Sequence, residues 1–246
     1  MIKKKQQKLP LYKQICELLH REISAGHWLP GDRLPIESEL ANSLGVAIGT
    51  LRKSLAQLEA QGFLERRQGS GTYVKRAPTG KAVYQFFHLE LPQGGGIPSA
   101  VILAIDLVSD SYVAKQLALT DTQQLLWRIK RERYLNGNKV AVEEIWIESR
   151  HCEQLLIDDI HESLYVHYRE NFDFWIARVE DSIFCEQAPT WVQQALTDTT
   201  ATSQQEDMHR SYSVVERKGW SNKEILEEFS RTWFMGEKCR YIARWS

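Results

Sequence analysis

The chain has 246 residues, 43% of them hydrophobic and 26% charged, with a formal net charge of −1; that is the make-up of a soluble globular protein with one large domain or two ordinary ones. No apolar run approaches the roughly 20 residues of a membrane span, and the basic opening MIKKKQQKLP is followed by no apolar stretch of the kind a secretory leader carries. Cys16, Cys152, Cys185 and Cys239 are scattered, with no CxxC pair and no His/Cys cluster, so a disulfide frame, a zinc site and any other metal or cofactor are not expected, and the thiols read as reduced and cytoplasmic.

The net charge hides an asymmetry. Residues 1–77 carry 13 Lys and Arg against seven Asp and Glu, leaving the remainder acidic. A basic head on an acidic body suggests a polyanionic partner, or else a solvated charged surface.

In the head, Leu11, Ile15, Leu18, Leu19 and Ile23 share one helical face, which predicts a helix over 11–26 begun at Pro10 and ended at Gly26. Pro30-Gly31 marks a turn, and Pro35 discourages helix at Leu34. A second helix is expected over 36–44, closed by Gly45, and a third over 47–60, closed by Gly62 and buried through Leu51, Leu55 and Leu58. A short helix, a glycine turn and a longer helix make the helix-turn-helix pattern, whose second helix enters the major groove. Its outer face carries Ala47, Ile48, Gly49, Thr50, Arg52 and Lys53. FLERRQGSGTYV then reads as a hairpin wing around Gln68, Gly69, Ser70 and Gly71, with Arg66 and Arg67 at its base and small residues at its tip for close approach to a sugar–phosphate backbone.

The stretches LPLYKQI, GHWLPGDRLPIESELANSLGV and TLRKSLAQLEAQGFLERRQGSGTYV, at this spacing, resemble the GntR family of regulators over nearly all of residues 9–75. The resemblance implies a winged helix presented by a homodimer to a pseudo-palindromic operator in double-stranded DNA. Glu37 and Glu39 match the acidic pair of the family's second helix, Thr50 and Arg52 its recognition helix, and Gly69, Gly71 and Thr72 its wing. Where the family often has Ser-Arg, this chain has Ala47-Ile48. Base contacts then fall to Arg52, Lys53, or Ile48 packed on a thymine methyl.

KRAPTGKA is polar and rich in breakers, so the boundary is placed there: a head over 1–77, a linker over 78–83 and a second domain over 84–246. Seven of the eight tryptophans lie in that second domain. A strand is expected over 100–108 and a Ser-capped helix over 109–119. LLWRIKRERYL and KVAVEEIWI form a hairpin about Asn136-Gly137. A helix over 163–171, a strand over 172–184, a helix over 189–196 and a strand pair from MHRSYSVVERKG and KEILEEFSRTWF follow. The order is mixed and mostly antiparallel, an α+β domain.

Arg131 and Arg133 are two apart on a strand and so project from one face, with Glu143 on the partner strand. Two arginines on a sheet face are costly unless something anionic meets them. The loop from Gly94 through Gly96 to Ser99 offers backbone N–H groups to an anion, and Glu228 sits across the site as an acceptor for hydroxyl or imidazole donors. The same four charges also satisfy a ligand-free salt-bridge network.

RERYLNG, AVEEIWI, the Ser163-Leu164-Tyr165 tripeptide and EFSRTWFMGEK resemble the UTRA ligand-sensing domain of the histidine-utilisation-repressor branch of GntR regulators, over roughly 84–245. The resemblance implies a chorismate-lyase-like antiparallel sheet with flanking helices, and an effector pocket drawn from Gly96, Ser99, Arg131, Arg133 and Glu143 together with Ser163, Tyr165, Glu228 and Phe234. Two positions depart from the pattern: Lys139 replaces a proline after the hairpin turn, and Phe234 replaces a late tyrosine. The function implied is a DNA-binding regulator, read as a repressor although the sequence does not distinguish it from an activator, controlled by a small anionic metabolite such as a carboxylate or a phosphorylated sugar. An enzyme on the lyase-like fold and a second domain that only dimerises are the competing readings. The absence of a Ser/His/Asp grouping, metal-ligand spacing or phosphate loop weighs against the enzyme.

Overall fold

The computed structural model describes residues 10–24, 27–75, 86, 88–161, 163–196 and 210–243. In the head, α1 spans Leu11–Ser24 and starts on the Pro10 carbonyl, which accepts from Lys13 and Gln14 N–H. Its apolar face sends Ile15, Leu19 and Ile23 into a core shared with α2 (Glu37–Ser43) and α3 (Ile48–Ala60). Both α2 and α3 end at a glycine in the left-handed region. Gly45 has φ 65° and is followed by Val46 N–H on the Ala41 carbonyl; Gly62 has φ 85° and is followed by Phe63 N–H on the Leu58 carbonyl. These are helix stops of the kind glycine makes possible. The wing is an antiparallel pair, β1 (Leu64–Arg67) and β2 (Gly71–Val74). Residues 31–34 flank β2 on its other side, through Gly31 N–H to the Val74 carbonyl and Leu34 N–H to the Thr72 carbonyl.

The rest is built on a six-stranded antiparallel sheet in the order β4-β5-β6-β9-β8-β7. The strands are β4 (Pro98–Ser109), β5 (Leu125–Leu135), β6 (Asn138–Glu148), β7 (Ile176–Gln187), β8 (Ser211–Ser221) and β9 (Leu226–Phe234). A small pair, β3 (Leu89–Glu90) with β10 (Arg240–Tyr241), lies outside this sheet and was not expected. Asn136 (φ 50°) and Gly137 (φ 78°) turn β5 into β6 with both central residues left-handed, the geometry that matches strand twist. One face packs Trp127, Ile129, Ile145 and Ile147 beneath α5 (Leu164–Asn171) and the segment carrying Leu155 and Ile160. The other is covered by α4 (Ser111–Gln116), against Leu126, Trp146 and Phe229, and by α6 (Thr190–Leu196), against Val142, Val214 and Trp233. This is the expected α+β architecture of a winged helix followed by an antiparallel sheet with flanking helices. No helix among the described residues is long and apolar enough to cross a membrane.

Several local expectations need correction. The cap of α4 is not a serine: Asp110 accepts from Tyr112 N–H (2.9 Å) and Val113 N–H (3.1 Å). A carboxylate there meets two unsatisfied amides and the positive end of the helix. The strand expected over 172–184 is displaced to Ile176–Gln187, because Phe172 and Phe174 turn in to stack with Tyr168 instead of alternating along a strand. The end of α1 at Gly26 and the linker over 78–83 lie outside the described residues.

Replacing Asp110 by Ala should lower stability by about 1 kcal/mol, the worth of a helix N-cap, whereas Ser109→Ala and Ser111→Ala should each change it by less than about half of that. Urea midpoints of the three variants check this.

Candidate functional site

The start of α3 leaves Ala47, Ile48 and Gly49 exposed, Thr50 half-buried, and Arg52 and Lys53 exposed. Glu37, from the first turn of α2, faces this surface. Its Oε2 accepts from Arg52 Nε at 2.6 Å, and its Oε1 lies 3.6 Å from Arg66 Nη2. The carboxylate thus lies between two guanidiniums. Arg66 also donates to the Arg52 carbonyl at 3.3 Å. Arg67 lies 3.5 Å from Glu65 and over the Tyr73 ring at 4.4 Å, and the Ser70 and Tyr73 hydroxyls meet at 2.7 Å. Lys53 sits over the Tyr12 ring at 3.9 Å. Exposed ion pairs of this kind are worth at most about 1 kcal/mol, so phosphate can take them over at little cost. The start of α2, the start of α3 and the wing enclose a cleft of about 310 Å³ whose walls include Arg33, Ile48, Arg52, Gly71 and Thr72. Gly69, with φ 72°, forms the bare wing tip.

A second constellation lies on the sheet face under α5. Arg131 on β5, Glu143 on β6 and Thr232 on β9 form one cross-strand row. Arg131 Nε donates to Glu143 Oε1, Arg133 Nε lies 3.6 Å from the same oxygen, and Thr232 Oγ1 donates to Glu143 Oε2 at 3.3 Å. Burial pushes the Glu143 carboxyl up, but Arg131 and Arg133 outweigh it and hold the group below the usual carboxylate range. Glu228 accepts from the Tyr165 hydroxyl at 3.1 Å and the Tyr168 hydroxyl at 2.7 Å. There burial wins over those bonds and over Arg131 and Arg217, and the carboxyl sits above its ordinary value. Arg217 on β8 donates twice to Asp181 on β7, at 2.6 Å each, and Tyr241 donates to the same carboxylate.

The structure thus brings Arg131, Arg133, Glu143, Tyr165 and Glu228 to one face. Ser163 stands at the start of α5, half-buried, with no capping bond. Phe234 shares the face but lies one row on, beside Ala141 in the apolar cluster with Leu135 and Val215. Ser99 does not join its side chain to the others. It pairs with Tyr134 while its neighbour Ala100 pairs with Arg133, and alternation along the strand sends Ser99 to the opposite face. Gly96 (φ +113°) is needed where it stands, since an added Cβ would lie 3.0 Å from the Leu135 Cβ. The expected anion nest is partly filled by the chain itself: Gly95 N–H donates to the Glu90 carboxylate at 3.3 Å.

Sequence reasoning missed Arg217, Asp181, Tyr168 and Thr232. Tyr168 was legible as the i+3 neighbour of Tyr165 on one helical face, and Arg217 as a basic residue alternating with Val215 and Gly219. Asp181 and Thr232 carry no such sign, because only the β7–β8 and β6–β9 registers bring them in.

The family model described as bacterial regulatory proteins, gntR family, matches residues 11–74, and that of the UTRA domain matches residues 93–240. The HTH-type transcriptional regulator SmoD of Agrobacterium fabrum is 36% identical over 236 residues, 96% of each chain. The mannosyl-D-glycerate transport/metabolism system repressor MngR of Escherichia coli is 36% identical over 141 residues, 56% of this chain and 58% of its own. Among solved structures, the ligand-binding domain of a putative GntR-family transcriptional regulator from Bordetella bronchiseptica shares the fold with TM-score 0.57 at 16% identity, over 66% of this chain and 99% of its own. The possible transcriptional regulator YydK from Bacillus subtilis does so with TM-score 0.53 at 17% identity, over 97% and 100%.

The raised Glu228 carboxyl has a consequence for stability. A group whose pKa is higher folded than unfolded makes the protein less stable as pH rises from the unfolded value through the folded one. Glu228→Gln keeps an acceptor for the two tyrosines and removes that penalty. The variant should therefore unfold at higher urea than the wild type at pH 7, with the difference shrinking below about pH 4.3, the ordinary carboxylate value. Urea titrations at both pH values check it.

Proposed function

The chain belongs to the GntR family of bacterial regulatory proteins and carries the UTRA ligand-binding domain, and from that premise we propose that it is a homodimeric cytoplasmic repressor whose hold on operator DNA is set by a small anion bound beneath α5. That it is a DNA-binding transcriptional regulator, and not an enzyme, follows from the family. The anion, its site, the dimer, the location and the limits 1–77 for the DNA-binding domain and 84–246 for the effector domain, with a linker between, are our reading. The DNA surface runs from Glu37, through Ala47, Ile48, Gly49, Thr50, Arg52 and Lys53, to Arg66, Arg67 and the wing residues Gly69, Ser70, Gly71 and Thr72.

One observation carries the anion. Arg131 and Arg133, each less than 10% exposed, both reach the buried carboxylate of Glu143, and Arg131 also bears on that of Glu228. Guanidiniums present a planar fork to carboxylate or phosphate, and a ligand that takes one of them replaces Glu143 as its partner. Glu228 with Tyr165 and Tyr168 supplies acceptors and donors for hydroxyls on the same molecule. A carboxylate and a phosphorylated sugar both suit this set, and the name of the mannosyl-D-glycerate repressor accords with the first. Gly96, Ser99 by its backbone, Ser163 and Phe234 complete the pocket as we draw it.

A route to the DNA-binding head is present. Ile97, at the end of the glycine loop and one residue before β4, packs against the apolar core of the head, and an added Cβ at Gly95 would lie 3.4 Å from Glu22 on α1. Displacement of this loop by a ligand is felt directly by α1. The effector acts only through its unequal affinity for the two dimer geometries.

A thermal-shift screen of small anionic metabolites on the full chain supplies the ligand, since binding to the folded state raises its melting point. Arg133→Ala should then leave DNA affinity near the wild-type value while weakening the ligand more than tenfold, given roughly 1.5–3 kcal/mol for a charge-assisted hydrogen bond; equal affinities by calorimetric titration would remove Arg133 from the site. Sedimentation should show a dimer that takes up one two-fold-related duplex. A monomer binding DNA one-to-one would overturn the dimer.

A further inference from the structure

The cleft between α2, α3 and the wing contains a cation that no carboxylate among the described residues answers. Arg52 is held by Glu37 at 2.6 Å, Arg66 lies 3.7 Å from Glu59, and Arg67 lies 3.5 Å from Glu65. Arg33, exposed in the cleft wall, has no carboxylate partner among the described residues. Its backbone is fixed on both sides: Gly31 and Leu34 bond to β2, and Arg33 itself bridges Tyr73. Its side chain lies flat on the wing. A Cβ at Gly71 would stand 2.7 Å from Arg33 Nε and 3.4 Å from Cζ, closer than side-chain carbons tolerate, and Gly71 has φ +121°. Glycine at 71 is favoured by its backbone conformation, and its missing side chain leaves the space in which this guanidinium sits.

We propose that Arg33 is a DNA-contacting residue that takes a phosphodiester of the strand lying between the recognition helix and the wing, across the cleft from Arg52. This rests on the reading of the head as the DNA-binding unit. The recognition helix lies in the major groove, and a wing that reaches the neighbouring groove leaves one convex sugar–phosphate strand between the two. The cleft is concave and bounded by helix on one side and hairpin on the other. Base edges at the groove floors are within reach of Ile48 at the helix start and of the wing tip at Gly69 and Ser70, whereas Arg33 is set back against the wing backbone. Arg52 already spends its Nε donor and part of its charge on Glu37. Arg33 has no carboxylate partner among the described residues, so a phosphate meets its undivided charge.

The test uses the full chain and a duplex enriched from a random-sequence pool, with an unselected duplex beside it. Binding is followed by fluorescence anisotropy from roughly 50 to 200 mM salt, where counterion release acts. Arg33→Ala should weaken both duplexes by the same factor and reduce the salt slope by about 0.9, one phosphate's share. The ratio of wild-type to variant affinity then falls about threefold to fourfold across that range. Arg33→Lys should restore the slope, because a point charge suffices for phosphate. An unchanged affinity and slope for Arg33→Ala overturns the proposal, as does a loss confined to one base position with the slope intact. A wild-type chain that enriches no duplex brings down the DNA-binding reading itself, and Arg33 with it.

Discussion

A charged group taken out of water costs several kcal/mol unless its partners are already in place, and the second domain is organised around meeting that cost in the middle of a sheet. Arg131, Arg133, Glu143 and Glu228 are each less than 10% exposed. They are tolerable only because β5, β6 and β9 stand in one register, which sets Arg131 opposite Glu143 and Glu143 opposite Thr232. A slip of one residue would turn every side chain of a strand to the other face, placing these charges among the apolar contacts of α4 and α6. The left-handed pair Asn136-Gly137 pins the β5–β6 register at its turn, so a two-residue loop at the edge of the domain governs where its charges meet.

Polar atoms on this face sit between two apolar clusters. One, around Ile129, Ile145, Leu164 and Tyr168, anchors α5; the other, around Leu135, Phe234 and Cys239, anchors the glycine loop and the C-terminal segment. Tyr168 belongs to both worlds, its ring stacked with Phe172 and its hydroxyl on Glu228. Glu228 and Glu143 are therefore tied to packed elements and not to loose side chains. Ile97 and the glycine loop in turn touch the head, at its apolar core and at α1.

The head solves the opposite problem. Its charges stay in water, where each pair is weak, and its rigidity comes from the apolar core of Leu19, Leu51, Leu55, Leu58 and Phe63. Glycines at 45, 62 and 71 stop helices or admit a close approach, so that a bare surface of Ala47, Ile48 and Gly49 faces outward with arginines about it. Weak pairs such as Arg52–Glu37 hold side chains in place at little energetic cost to their exchange for another partner.

Much of this could be read from the chain alone. Apolar spacing and glycine stops placed α2 and α3 within a residue at each end, because a helix's burial face and its left-handed terminus are local properties of sequence. Asn136-Gly137 located the central hairpin for the same reason, and the two-residue spacing put Arg131 and Arg133 on one face. What the sequence left open depended on contacts between segments far apart. The loop from Gly94 to Ser99 reads as a source of backbone N–H groups; that the Ser99 side chain points away from Arg133 and that Glu90 takes the Gly95 N–H could be learned only from the fold. Arg217, Asp181 and Thr232 entered the site through strand registers that no local pattern encodes. Arg33 became distinct only when the fold gave its neighbouring arginines their carboxylates and laid its own side chain across Gly71. Sequence determines periodicity and turn chemistry, which act over a few residues. Which charge answers which is decided by tertiary structure, because a buried ion is stable only beside a partner that the folded chain delivers.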